Sequence, residues 1–255
     1  MNKRLLFVVC LLTISLAALA QSERTFNVQS FQQIQFNTFG HVYFEQGPTC
    51  SVRAKGVKDD LDRLIVKVQG NVLVIDEKKR KKPMAGIKNK VVFYVTAPTL
   101  SALKVDGVAS FDTKQIDVKS DFRLEVRGVC STRIEHLKCN GFDADIDGVA
   151  NNNLNIEARS AHFGIDGVTK GSVDVKSDVL RLDIDGADTM KFTFAGNECR
   201  VVCDGVCKGS LHVDCQSLHA QADGLTDMTI SGTADKVDFG TDGVAKFNTK
   251  DLNRF

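Results

Sequence analysis

Between residues 101 and 255 apolar and polar side chains alternate, and a glycine resets the alternation about every nineteen positions. Counting back from the glycine, apolar residues fall at minus six, minus four and minus two: Phe142, Ala144 and Ile146 in one unit, Ala161, Phe163 and Ile165 in the next, Leu180, Leu182 and Ile184 in a third. A second set follows at plus four, six and eight, as in Met190, Phe192 and Phe194, with Val173 and Val175 or Leu211 and Val213 at matching offsets. A period of two is that of a strand burying one face, and the i, i+3, i+4 spacing of an amphipathic helix is missing. The residue directly after the glycine, most often Val, is expected to be buried at the corner between the two strands.

The resetting glycines are Gly107, Gly128, Gly148, Gly167, Gly186, Gly205, Gly224 and Gly243, spaced 21, 20 and then 19 five times. Asp precedes seven of them, the exception being Arg127, and Val follows six. So strict a period is the signature of a stacked repeat. Two short strands and two turns cannot bury an apolar face alone, but coil upon coil creates a continuous interior. The fold class predicted is all-β, a parallel β-solenoid or β-helix with coils about 4.8 Å apart. At each corner, Gly is expected to supply a positive φ and Asp to hydrogen-bond the backbone two residues on.

Residues 21–100 are rich in strand patterns but less periodic: Val42 and Phe44, Val52 and Ala54, Val66 and Val68, Val72 to Ile75, and Val91 to Val95. They are expected to form the first coils or a cap over the open edge of the 101–255 stack, since an uncovered edge invites unwanted pairing. Between them lies EKKRKKPMAGIKNK, in which Lys78, Lys79, Arg80, Lys81, Lys82, Lys88 and Lys90 make seven cations in fourteen residues. This reads as a loop or hairpin tip.

Residues 1–20 stand apart. Lys3 and Arg4 precede an apolar run from Leu5 to Leu19, and Ala18-Leu19-Ala20 is a small-x-small cleavage motif. That is the pattern of a secretory signal peptide, too short and wrongly flanked for a membrane anchor. Cys10 lacks the small residues before it that a lipid-attachment site wants. No later stretch approaches a transmembrane segment. The net charge is +1 with the leader's two cations included, which argues against a nucleic-acid binder. Removing the leader leaves seven cysteines, Cys50, Cys130, Cys139, Cys199, Cys203, Cys207 and Cys215, an odd number whose spacing matches no zinc pattern. Cys203 stands where Ile146, Ile165 and Ile184 stand in other units, so it reads as a small buried hydrophobe, with a metal ligand or a disulfide partner as the alternatives.

The phrases RTFNVQSFQQIQFNTFGHVYFEQG, SVRAKGVKDDLDRLIVKVQGNVLVIDEK and VVFYVTAPTLSALKVDGVASF, followed by the small-residue turns, resemble the auto-transporter adhesin head, or GIN, domain of exported Gram-negative proteins. The resemblance covers essentially the whole chain after residue 20. It implies a right-handed β-helix, export to the periplasm or outer surface, and a role in adhesion. The chain departs from the pattern in using Asp-Gly-Val where Ser-Gly-Ala is common, and in its many cysteines. After Gly243 only twelve residues remain, too few for the ten-residue strands of an autotransporter barrel.

Candidate chemistry is sparse. Asp106, Asp147, Asp166, Asp185, Asp204, Asp223 and Asp242 would stack about 5 Å apart, an acidic ladder in which Asp147, Asp166, Asp185 and Asp204 are weak calcium candidates. Turn chemistry is the favoured reading, because the nonapeptide motif of calcium-binding solenoids is missing. Arg127 is placed to bridge Asp106 and Asp147. The basic segment can attract an anionic glycan or headgroup, or serve only as a solvated tip. His41, His136, His162, His212 and His219 form no metal motif, and no nucleophile elbow or phosphate loop occurs. The reading is therefore a non-enzymatic exported binding or adhesion module with no cofactor, its partner a surface polysaccharide or an envelope or host protein. A scaffold self-associating through the ends of the stack is the first alternative, and a glycan-active β-helix enzyme the second.

Overall fold

A computed structural model describes residues 22–78 and 91–254. The chain is nearly all strand, arranged as a parallel β-solenoid of about 8 turns with coils of about 19 residues. Its elements in order are β1 (Ser22–Phe26), β2 (Gln33–Phe36), β3 (Phe39–Gln46), β4 (Ser51–Gly56), the single helical turn α1 (Lys58–Leu61), β5 (Leu64–Gln69), β6 (Val72–Glu77) and β7 (Val92–Ala97). There follow β8 (Ala102–Val105), β9 (Val108–Asp117), β10 (Phe122–Val126), β11 (Val129–Lys138), β12 (Gly141–Ile146), β13 (Val149–Glu157) and β14 (Ser160–Ile165). The last five, β15 (Val168–Ile184), β16 (Ala187–Cys203), β17 (Val206–Ala222), β18 (Leu225–Thr241) and β19 (Val244–Arg254), each run through a corner without losing strand geometry.

Repeat positions stack in register. Ile146 pairs with Ile165, Ile165 with Ile184, Ile184 with Cys203 and Cys203 with Ala222. Positions minus six, four and two and plus four, six and eight fill the interior, where Phe122, Phe142, Phe163 and Phe192 form a run of ring contacts with centroids 5.1 to 6.2 Å apart. The column of plus-two residues is also buried, including Cys130, Thr169, Asp188 and Cys207.

Two expectations about the corner need correction. The residue at plus one is not buried: Val108, Val129, Val149, Val168 and Val206 are each between 39% and 53% exposed, and Leu225 and Val244 share their outward position. Because plus two points inward, the period of two obliges plus one to point out. Nor do the corner glycines, Gly243 excepted, have a positive φ. Their column is required by close approach instead. A β-carbon added to Gly167 would collide with the carbonyl of Gly148, one on Gly186 with that of Gly167, and one on Gly205 with that of Gly186. The same carbonyls accept hydrogen bonds of 2.9 Å from Val168, Ala187 and Val206 of the next coil.

The N-terminal strands are interleaved with the stack. The coil β2–β3 pairs on one side with β8 and β9, and on the other with β6 and β7, which come later in sequence. Outside β6 and β7 the pairing turns antiparallel: β5 on β6, β4 on β7, and β1 on β4. Parallel coils cannot be joined by a short hairpin, but an end strand can, so the antiparallel strands form the last layer over the stack.

Candidate functional site

The layers around β3 carry a groove of ≈ 1090 Å³ on their outer face. Alternation dictates what lines it. In β3 the buried Val42 and Phe44 bracket Tyr43, and in β7 the buried Phe93 and Val95 bracket Tyr94, so both tyrosines point out. Register then aligns them: Tyr43 pairs with Tyr94 on one side and Asp112 on the other, while Tyr94 pairs with Arg53 of β4. These are the only two tyrosines of the chain, and they come from positions 51 residues apart.

The result is a row of stacked side chains along the groove. The two phenol rings are stacked with centroids 5.7 Å apart at 20°, and the His41 imidazole stacks on Tyr43 at 4.1 Å and 21°. The Arg53 guanidinium lies 4.7 Å from the Tyr94 ring centre, and the Lys55 ammonium 5.5 Å from it. Each cation is held from below by Glu23, at 3.0 Å from Arg53 and 3.3 Å from Lys55. The Arg53 hydrogen bond holds the Glu23 carboxyl below the usual carboxylate range. At the other end Asp112 bonds His41 at 2.6 Å and sits 3.6 Å from Arg133.

Polar groups along the groove are fixed by their own bonds. Gln46 donates to the carbonyls of Pro98 and Asp117 at 2.9 Å each, and its oxygen accepts from the Asp117 N–H at 2.8 Å. The hydroxyls of Ser51 and Thr96 are 2.6 Å apart. Rings that are stacked and backed by strands lose little entropy when a ligand arrives, which makes the row preorganised.

The residues singled out in the sequence fall elsewhere. Asp106, Asp147, Asp166, Asp185, Asp204, Asp223 and Asp242 form a solvent-exposed column, interrupted by Arg127 in the coil of Gly128. Among the described residues no group of three or more His, Cys, Asp or Glu side chains is placed to hold a metal ion. Arg127 does not bridge Asp106 and Asp147; it meets Glu125 at 2.6 Å, because alternation sends both side chains to the same outer face. Burial pushes the Glu125 carboxyl up, but Lys104 at 2.9 Å and the charge of Arg127 outweigh it and hold the group below its ordinary range. Of the basic segment, Lys78 is exposed at the end of β6, and Lys79, Arg80, Lys81, Lys82, Lys88 and Lys90 lie outside the described residues. The expected leader, residues 1–20, also lies outside them. His162 points outward and bridges Asp143 at 2.9 Å and Asp183 at 3.1 Å.

Among the described residues six cysteines are buried and Cys50 is partly so, all as free thiols. Burial pushes the thiols of Cys130, Cys139 and Cys215 up to about 11. Asp188 is the unexpected interior group: burial pushes its carboxyl up to about 6, against hydrogen bonds from the Thr169 hydroxyl and the backbone of Met190 and Thr189. The tyrosine pair was missed in the sequence. Its one legible signal was an aromatic with a hydroxyl at an outward position in each of two strands.

Three comparisons place the chain. A family model described as "putative auto-transporter adhesin, head GIN domain" matches residues 30–193. No curated protein matches significantly. Among solved structures, a putative adhesin from Bacteroides fragilis is similar with a TM-score of 0.60 at 19% identity, over 89% of this chain and 95% of the other. A putative lipid binding protein from Parabacteroides distasonis gives 0.58 at 16%, over 92% and 96%. A putative adhesin from Parabacteroides merdae gives 0.58 at 14%, over 89% and 95%. At these identities the likeness is one of fold alone.

Proposed function

The chain belongs to the auto-transporter adhesin head GIN domain family, and from that premise we propose that it is a non-enzymatic adhesion module of the bacterial cell envelope that binds a glycan across the Tyr43–Tyr94 pair. The apolar C–H groups of a pyranose ring can pack against the parts of the two phenol rings left open to the groove, which removes apolar area from water. Hydroxyls at the edge of the sugar then need donors and acceptors that are already oriented, which Asp112, Arg133, Arg53 and Thr96 supply around the rings. The single observation that carries the reading is that both tyrosines of the chain meet in one stacked pair on the groove, Tyr43 exposed and Tyr94 half-buried.

A lipid ligand, the binding described for one structural neighbour, fits this groove less well: an acyl chain would leave the charged rim unpartnered, at a cost in desolvation. Among the described residues no helix is long and apolar enough to cross a membrane.

The test is a glycan array on the wild-type chain followed by calorimetry on any hit, repeated with Tyr43→Ala and Tyr94→Ala. Both rings are at least partly exposed, so the variants are expected to melt with the wild type while losing about twofold to tenfold in affinity each, the scale of one stacked aromatic. Glycan binding that survives the double variant would refute the site. Reducing ends released from the same polysaccharides would favour the enzyme alternative.

A further inference from the structure

The outward residues at plus one form an unbroken apolar row. Phe39 pairs with Val108, and the line continues through Val129, Val149, Val168, Ala187, Val206 and Leu225 to Val244. Among the described residues, eight of the ten large apolar side chains that are exposed belong to it. Nine coils at about 4.8 Å make the row about 38 Å long. A contiguous apolar strip of that length on a rod is an interaction surface rather than scatter.

Beside the row runs a trough of ≈ 650 Å³, with Val108, Val129, Val149 and Val168 on one wall and plus-three side chains such as Ser131 and Lys170 on the other. The lateral order is therefore acidic column, apolar row, trough, plus-three column. Charges on both flanks are unsatisfied: among the described residues Asp166, Asp204, Lys170, Lys208 and Lys246 take part in no ion pair of their own chain. On another outward face the charges close on themselves, as in the chain Asp143, His162, Asp183 and Arg181 with separations of 2.6 to 3.1 Å.

We propose that this face is an interface between two copies of the chain lying side by side and parallel. Turning a second copy by half a turn about an axis along the rod lays each apolar row in the other's trough. The same rotation brings the acidic column of one copy against the plus-three column of the other at equal height. Lys170 then faces the partner's Asp166, Lys208 faces the partner's Asp204, and Lys246 faces the partner's Asp242. An axis across the rod would instead set acidic column against acidic column throughout, so the balance of charge favours the parallel arrangement, in which only Asp227, facing the partner's Asp223, meets its own sign. The strip is about 38 Å long and its four residue steps span about 13 Å, which offers about 500 Å² per partner, or about 1,000 Å² in total, the lower bound for a specific interface. Symmetric self-complementarity of one patch is what a two-fold dimer requires.

The interface is separate from the tyrosine groove and does not rest on its assignment. Sedimentation equilibrium of the full chain across the micromolar range is expected to show a dimer. Val149→Lys combined with Val168→Lys, both at exposed positions, is expected to yield monomers with an unchanged melting temperature. Lys170→Glu with Lys208→Glu weakens association about tenfold or more at low salt, and mixing that variant with Asp166→Lys, Asp204→Lys protein restores it. A Val244→Cys variant, changed at one end of the row, cross-links to itself only when the rods run parallel. A monomer at all concentrations, an association untouched by the valine changes, as growth through the stack ends would be, or the failure of Val244→Cys to cross-link would each overturn the proposal.

Discussion

Gly167→Ala isolates the physical reason for the repeat. The added methyl would collide with the Gly148 carbonyl oxygen and stand 2.9 Å from its carbon, where a comfortable carbon contact is about 3.5 Å. The coils must part locally by on the order of 1 Å. That lengthens the bonds from Val168 to Gly148 and from Gly167 to Ile146, now 2.9 and 3.0 Å, beyond hydrogen-bonding range. Two such bonds are worth about 1 kcal/mol each, with more lost where the groups stay dry. Strain in the packed interior adds about 1–3 kcal/mol. The sum, about 3–6 kcal/mol, corresponds to a fall in melting temperature of about 10 °C for a chain of this size. Gly164→Ala is the matched control: three residues earlier, its methyl meets nothing nearer than Ala144 O at 3.8 Å. It is expected to be neutral or to stabilise by about 0.5 kcal/mol through the unfolded chain. Urea and thermal denaturation of the two variants decide the matter, and equal stability would refute close approach as the cause of the glycine column.

Three further outcomes are expected. Because the Asp188 carboxyl is raised in the fold from 3.8 to about 6, the protonated form is the one the interior prefers: its contribution to stability is complete below about pH 4 and is lost as pH rises through 6. Asp188→Asn should flatten that pH dependence, worth up to about 3 kcal/mol, and a slope unchanged in the variant would exclude Asp188 as its source. Thiol labelling at pH 8 of the native chain carrying Cys10→Ser should modify Cys50 at most, with the six buried thiols reacting only after unfolding; two or more fast thiols would contradict their burial. Asn152 is fully buried with neither amide atom hydrogen-bonded, so Asn152→Ala should cost nothing or stabilise by about 1 kcal/mol, whereas Phe163→Ala should cost about 3–5 kcal/mol; equal losses in chemical denaturation would count against the unsatisfied amide.

The repeat made the solenoid legible because it expresses a translational rule: what is buried in one coil is buried in its neighbour. Placement of Ile146, Ile165, Ile184 and Cys203 in one column needed only the nineteen-residue offset. The corner was harder. From the sequence, Asp-Gly read as turn chemistry, yet a glycine chosen for positive φ and a glycine chosen for contact with the coil beneath are the same letter. The valine after it was assigned to the interior because apolar residues usually go there, while the period of two carried the opposite answer.

The sequence alone determined the strands, their period, the parallel stacking and the interior columns, since these follow from local alternation repeated at fixed spacing. Tertiary structure decided what depends on contact between distant segments. It threaded β6 and β7 outside β2 and β3, brought Tyr43 to Tyr94, turned Arg127 toward Glu125, and left an apolar row and its flanking charges facing water. Periodicity specifies a coil's neighbour in the repeat but is silent where the chain leaves the repeat, and there only the hydrogen-bond register fixes which side chains meet.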